Sequence, residues 1–91
     1  MNDSEGKQVL VLGAGRQGTA AAFDLLRGGF AVRLADTSEE ALEAACRRLG
    51  LPREAGIVAD LASAGEILPL LREADGAVFA ADYALNRQLT E

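Results

Sequence analysis

The segment VLVLGAGRQG, residues 9–18, decides the fold of this chain. Its short apolar run is typical of a buried strand, and the alanine-rich segment that follows, residues 19–27, is typical of a helix. Between them, Gly13 permits a tight turn, Gly15 lets the backbone approach a phosphate, and Gly18 lets the helix lie close to the sheet. The spacing predicts a turn that presents the N-terminus of a helix to a pyrophosphate. Glycines at this spacing also occur in ordinary turns, so the rest of the chain must support the interpretation.

The bulk composition predicts one small globular unit. The chain has 91 residues, of which 49% are hydrophobic, and its net charge is −5. It has no basic cluster, which argues against nucleic acid as a partner, and no apolar run near the roughly 18 residues of a membrane span. We expect residues 1–7 to form a flexible polar leader rather than a signal peptide, and residues 8–91 to form the N-terminal portion of the domain.

The content of cysteine and histidine limits both the compartment and the chemistry. Cys46 is the only cysteine, so no internal disulfide can form, and a cytoplasmic location is expected. The chain has no histidine, which excludes catalysis by histidine and metal sites that contain it. Cys46 falls on the apolar stripe of a helix and is interpreted as a small core residue. We predict no catalytic residue and no metal ligand in this chain.

Strand-like and helix-like segments alternate along the whole chain, joined by short connections. Strands are predicted at 8–12, 30–35, 56–59 and 77–81, and helices at 16–27, 37–49, about 63–73 and 83–91. Thr37 and Glu40 have capping-box spacing at the start of the second helix, and Pro69 favours a late start for the third. This alternation predicts an α/β fold of Rossmann type, with three layers and a parallel sheet in the order 3-2-1-4. The glycine turn and Ala80–Ala81 would then face each other between strands one and four.

Asp36 supplies the second signal for a nucleotide. It lies 18 residues beyond Gly18, at the end of the second strand, where a carboxylate can accept both hydroxyls of an adenosine ribose. A carboxylate there repels a 2′-phosphate, and neither Thr37 nor Ser38 is an arginine that could receive one. The pattern therefore favours NAD over NADP as the cofactor. The alternative is that Asp36 only helps to cap the next helix.

Two further interpretations stay open. Asp60 and Leu61 follow the third strand, where the adenine edge lies in this fold, but an aspartate there can also simply start a helix. Arg16 offers a backbone N–H to the phosphates, whereas its guanidinium can be merely solvated. The residues predicted to bind the dinucleotide are Gly13, Ala14, Gly15, Arg16, Gln17, Gly18, Asp36, Thr37, Asp60, Leu61, Ala80 and Ala81.

Five segments together resemble one known family. They are residues 9–18, Phe23–Leu26, Ala35–Asp36, Ala59–Leu61 and the run ADYALN at 81–86. The chain is similar, from Gln8 to about Leu89, to the N-terminal NAD(P)-binding domain of the saccharopine dehydrogenase and lysine 6-dehydrogenase family. That family tends to carry Pro-Tyr-x-Leu-Asn after the fourth strand. This chain has Asp82 in the place of the proline, and a carboxylate near a pyrophosphate would be unfavourable.

The resemblance implies an oxidoreductase that acts on amino-acid C–N bonds, with hydride passing to or from nicotinamide. The family carries its substrate and catalytic groups in a second domain, so this chain alone is expected to bind nucleotide without catalysis. The alternative is a non-enzymatic nucleotide-sensing domain of a potassium channel or transporter. Such domains tend to have Gly-Asp after strand three and a longer loop before their asparagine, whereas this chain has Ala59 and an early Asn86.

The fourth strand is apolar and would form one edge of the sheet. Exposed apolar edges pair readily with other chains. A homodimer through the edge of strand four is therefore expected.

Overall fold

A computed structural model describes residues 6–80 of the chain. In this part the chain folds into a four-stranded parallel sheet with three α-helices and one short 3-10 helix. The elements in chain order are β1 (Gln8–Leu12), α1 (Arg16–Arg27), β2 (Ala31–Asp36), α2 (Glu39–Leu49), the 3-10 helix (Arg53–Ala55), β3 (Gly56–Val58), α3 (Ala64–Glu73) and β4 (Gly76–Phe79). The strands lie in the order β3-β2-β1-β4 and all pairs are parallel. The α/β fold of Rossmann type and its predicted strand order are confirmed.

The helices lie on both faces of the sheet, as right-handed crossovers require. The steps from β1 to β2 and from β2 to β3 run in one direction, which places α1 and α2 on the same face. The step from β3 back to β4 runs the other way and places α3 on the opposite face. The two hydrophobic clusters follow this division: Leu34 packs with α1 and α2, whereas Leu10 and Ile67 pack on the α3 side.

Strand bounds differ slightly from the predicted ones. β2 begins at Ala31, one residue late, and β4 ends at Phe79, before Ala80. β3 is only three residues long because its partners on β2 are Leu34, Ala35 and Asp36, and the pairing ends where β2 ends. The short 3-10 helix before β3 was not predicted.

The expectation that Pro69 must lie near the first turn of α3 is wrong. The helix begins at Ala64, so Pro69 is its sixth residue, in the second turn. Proline there leaves the carbonyl of Gly65 without its usual intrahelical donor. Pro69 and its neighbour Leu68 are exposed on the outer side of α3, whereas Ile67 is buried against the sheet. Burial on the inner side therefore outweighs the missing hydrogen bond.

Serine, rather than the predicted threonine, caps α2. The backbone N–H of Ala41 donates to Ser38 Oγ at 3.1 Å, so the cap lies one residue later than the Thr37–Glu40 spacing indicated. At the end of α1, Gly28 is right-handed, and Gly29, with φ +93°, is the left-handed residue that ends the helix.

β4 lies at the edge of the described sheet, and Phe79 is 53% exposed. The dimer through this edge stays a prediction. None of the helices within residues 6–80 is long and apolar enough to cross a membrane. Ala81, the last helix and the run at 81–86 lie outside the described residues.

Candidate functional site

The turn after β1 is held against both neighbouring strands. Gly13 has φ +118°, a conformation that side chains other than glycine rarely adopt. Its N–H donates to the carbonyl oxygen of Ala35 at 2.7 Å, which fixes the turn to the end of β2. A Cβ on Gly13 would lie 3.0 Å from Cβ of Ala80, so the turn also faces the end of β4. The predicted meeting of the glycine turn with Ala80 is confirmed.

Gly18 is required for the helix to pack against the turn. A Cβ at this position would overlap the carbonyl oxygen of Gly13 and come within 2.6 Å of its carbonyl carbon. Both groups belong to the backbone and cannot rotate away. The close approach of α1 to the sheet predicted from the sequence is therefore a property of the structure.

Gly15 faces open space, in contrast to the other two glycines of the motif. A Cβ built on it has no atom of residues 6–80 within 4 Å, although its φ of −72° would accommodate any residue. Gly15 is also the N-cap of α1, and no side chain among residues 6–80 caps this helix. A helix N-terminus carries partial positive charge on its free N–H groups. The arrangement leaves room for an anion in front of the first turn of α1.

Asp36 lies at the end of β2 and reaches the turn. Its Oδ2 accepts a hydrogen bond from the N–H of Ala14 at 2.8 Å, and its Oδ1 accepts one from the N–H of Ser38 at 2.9 Å. The second bond helps to start α2, as the alternative interpretation proposed. The first bond goes beyond capping, since it brings the carboxylate to the glycine turn. Asp36 is half-buried, and each carboxylate oxygen keeps a further lone pair.

Asp60 lies in the loop between β3 and α3, ahead of Ser63, the N-cap of α3. Its Oδ1 accepts a hydrogen bond from the N–H of Ala62 at 3.0 Å, and its own N–H donates to Glu66 Oε1 at 3.0 Å. The backbone donor that could have met an adenine is therefore occupied. The sequence indicated residues 63–66 as a helix start, but not the contact of Glu66 with Asp60. Leu61 packs against the hydrophobic cluster on the α3 side.

Open space adjoins the turn on the side of α2. A cleft of about 370 Å³ has Gly15, Arg16 and Thr19 on one wall and Arg48 on the other. Arg16, Gln17 and Thr37 are exposed. The two arginines give the cleft a positive rim in a chain whose net charge is −5.

The described residues do not bring together a set of catalytic side chains. Cys46 is only 2% exposed, and burial on the core side of α2 raises the pKa of its thiol, although the nearby Arg53 opposes this rise. A buried thiol with a raised pKa is a poor nucleophile. Within residues 6–80 no three His, Cys, Asp or Glu side chains are grouped so that they could hold a metal ion.

Comparison of the chain with protein-family models, with curated proteins and with solved structures gives no match. Conclusions about function therefore depend on the site itself.

Proposed function

We propose that this chain binds an adenine dinucleotide, with the pyrophosphate in front of Gly15 and the adenosine ribose on Asp36. The observation that carries the proposal is the unequal packing of the three glycines. Gly13 needs glycine for its positive φ and Gly18 for its contact with the backbone of Gly13, but within residues 6–80 no atom lies near enough to Gly15 to require one. Glycine is needed at an open position when another molecule approaches the backbone there.

Charge supports the same proposal. The pyrophosphate would meet the uncapped N-terminus of α1, where backbone N–H groups and the helix dipole favour an anion. Arg16 lies on the rim of the adjoining cleft and adds positive charge. The remaining lone pairs of the Asp36 carboxylate would accept the ribose hydroxyls.

The test is calorimetric titration of NAD into the protein and its Gly15→Ala variant. An alanine at Gly15 fits the fold without a clash but places a methyl group where the pyrophosphate would lie. We expect Kd to rise by at least about tenfold, which corresponds to roughly 1.4 kcal/mol. The free energy of unfolding should fall by no more than about 1 kcal/mol, because alanine is a poorer N-cap than glycine. Gly76→Ala is the matched control, since it also adds a methyl group in open space but at the opposite end of the sheet. Equal affinities of the two variants, or no binding of NAD by the wild type, would refute the proposal.

The same site favours NAD over NADP. A 2′-phosphate would lie beside the Asp36 carboxylate, and two neighbouring negative charges repel each other. Titration of the wild type with both cofactors should therefore show tighter binding of NAD. Equal or tighter binding of NADP would show that another part of the chain receives the 2′-phosphate.

We further propose that the chain is the nucleotide-binding part of an NAD(P)-dependent oxidoreductase that acts on amino-acid C–N bonds. The support is the resemblance of residues 9–18, Ala35–Asp36 and 81–86 to the saccharopine and lysine 6-dehydrogenase family. The coding sequence downstream of Glu91 provides the test. A substrate-binding domain there supports the oxidoreductase, and coupling to a membrane pore would instead indicate a nucleotide sensor.

A further inference from the structure

We propose that the carboxylate of Asp36 is a clamp that holds the glycine turn in its binding conformation before any nucleotide arrives. This role is distinct from the contact with ribose. It extends the proposed function by adding a positioning role for the same residue.

The clamp joins three elements through one side chain. Asp36 belongs to β2, Ala14 to the turn after β1, and Ser38 to the start of α2. The carboxylate accepts one N–H from each of the last two, at 2.8 and 2.9 Å. Hydrogen bonds to an ionised acceptor are stronger than those between neutral groups, so the two bonds fix the turn and the helix start relative to each other.

Neighbouring backbone bonds show that the clamp acts on a turn already close to β2. The N–H of Gly13 donates to the carbonyl oxygen of Ala35, directly before Asp36. Gly13 and Ala14 are thus attached to Ala35 and Asp36 by consecutive hydrogen bonds. The second of these bonds depends on the side chain and is lost when the carboxylate is removed.

The corresponding residue on the next strand has no such role. Asp60 follows β3 as Asp36 ends β2, but its Oδ1 accepts a bond from Ala62, two residues further along the same loop. The bond from Asp36 to Ala14 spans 22 residues and connects different elements. An aspartate at the end of a strand therefore does not bridge two elements simply because of its place in the fold.

The clamp predicts that Asp36 matters even for a ligand that has no ribose hydroxyls. If Asp36 acted only on the ribose, its removal would leave the phosphate site intact. If Asp36 holds the turn, removal of its carboxylate releases the N–H of Ala14. The backbone N–H groups at the start of α1, next to Gly15, can then move as well. Binding of the phosphates would then weaken as well, because a mobile site must be ordered on binding.

The experiment combines amide exchange with two probes, ADP and 2′,3′-dideoxy-ADP, on the wild type, Asp36→Ala and Asp36→Asn. We expect the amide of Ala14 in Asp36→Ala to exchange about tenfold faster or more, as loss of a charged hydrogen bond implies. We expect affinity for 2′,3′-dideoxy-ADP to fall about tenfold and affinity for ADP to fall further, because ADP also loses the contact of its ribose with Asp36. Asp36→Asn should give intermediate exchange rates and affinities, because its amide oxygen can accept one of the two N–H groups. If Asp36→Ala does not fold, Asp36→Asn is measured in its place.

Asp75→Ala is the matched control. The Asp75 carboxylate also accepts a backbone N–H from a distant element, that of Gln8 at 2.7 Å, but at the opposite end of the sheet. Its removal should leave exchange at Ala14 and affinity for both probes unchanged.

Two results would overturn the clamp. One is unchanged exchange of the Ala14 amide in a folded Asp36 variant. The other is a loss of affinity for ADP but not for 2′,3′-dideoxy-ADP, which would confine Asp36 to the ribose. If the wild type binds neither probe, the proposed function is wrong, but exchange at Ala14 still decides whether the clamp exists.

Discussion

Two helices, α1 and α2, begin at the same edge of the sheet on the same face, but their first turns are completed in different ways. α2 begins after Ser38, whose hydroxyl accepts the N–H of Ala41. α1 begins after Gly15, which has no side chain to offer, and no other side chain within residues 6–80 caps it. Helix N-termini normally find acceptors for their free N–H groups. The first turn of α2 is therefore completed by a side chain of the protein, whereas within residues 6–80 no side chain completes that of α1, where the proposed function places a pyrophosphate.

Of the substitutions that test this contrast, Gly18→Ala should have the largest effect on stability. It removes the close packing on which the start of α1 depends. The new methyl group would collide with the backbone of Gly13, so the turn or the helix must move. We expect a loss of at least about 3 kcal/mol in the free energy of unfolding, at the upper end of overpacking effects. Denaturant unfolding measures the loss. A variant of unchanged stability would mean that α1 can lie further from the turn than in this structure.

Ser38→Ala should have an intermediate effect, limited to α2. It removes the N-cap hydroxyl and should lower the free energy of unfolding by about 1 kcal/mol. The binding of NAD should change little, since the N–H of Ser38, which donates to Asp36, is kept. Unfolding and titration of the same sample separate the two effects. A loss of binding as large as that in Gly15→Ala would show that the two helix starts are not independent.

Gly15→Ser should have the smallest effect on stability and would make the two helix starts alike. The backbone of Gly15 is extended, with φ −72° and ψ −155°, and the site has room for a hydroxyl that could cap α1. We expect a gain of a few tenths of a kcal/mol, the usual difference between glycine and serine at an N-cap. We also expect NAD binding to be lost. A destabilised variant would contradict the view that Gly15 is kept for a ligand rather than for the fold.

The sequence predicted the fold well because its strongest signals are local. The order of strand, glycine turn and helix at residues 9–18 was sufficient for β1 and α1, and the alternation of strands and helices around this motif indicated the strand order of a Rossmann-type sheet. Two details were predicted incorrectly, the capping residue of α2 and the position of Pro69 in α3, and both errors arise from contacts that the local sequence does not determine. A cap depends on which of two adjacent hydroxyls meets the helix, and Pro69 is tolerated because Ile67 is buried on the other side of α3.

The candidate site was predicted in part. Gly13, Gly18 and Asp36 could be found because their roles require a particular residue type at a particular spacing. The occupied N–H of Asp60 and the bond from Asp36 to Ala14 could not be predicted. The first depends on which backbone N–H the Glu66 side chain meets at the start of α3, and the second on the place of β2 beside the turn, which is defined only when the sheet is assembled.

The strand order also determines when during folding the turn is completed. β1 pairs with β2 nearby in sequence and with β4, and the hydrogen bond between Gln8 and Asp75 spans 67 residues. Closing so long a loop is slow compared with forming the first β-α-β unit, because more chain entropy is lost before the two strands can pair. Gly13 reaches its final packing only when Ala80 arrives beside it. The glycine turn thus precedes β4 by more than sixty residues in the chain, yet it is complete only after β4 has paired.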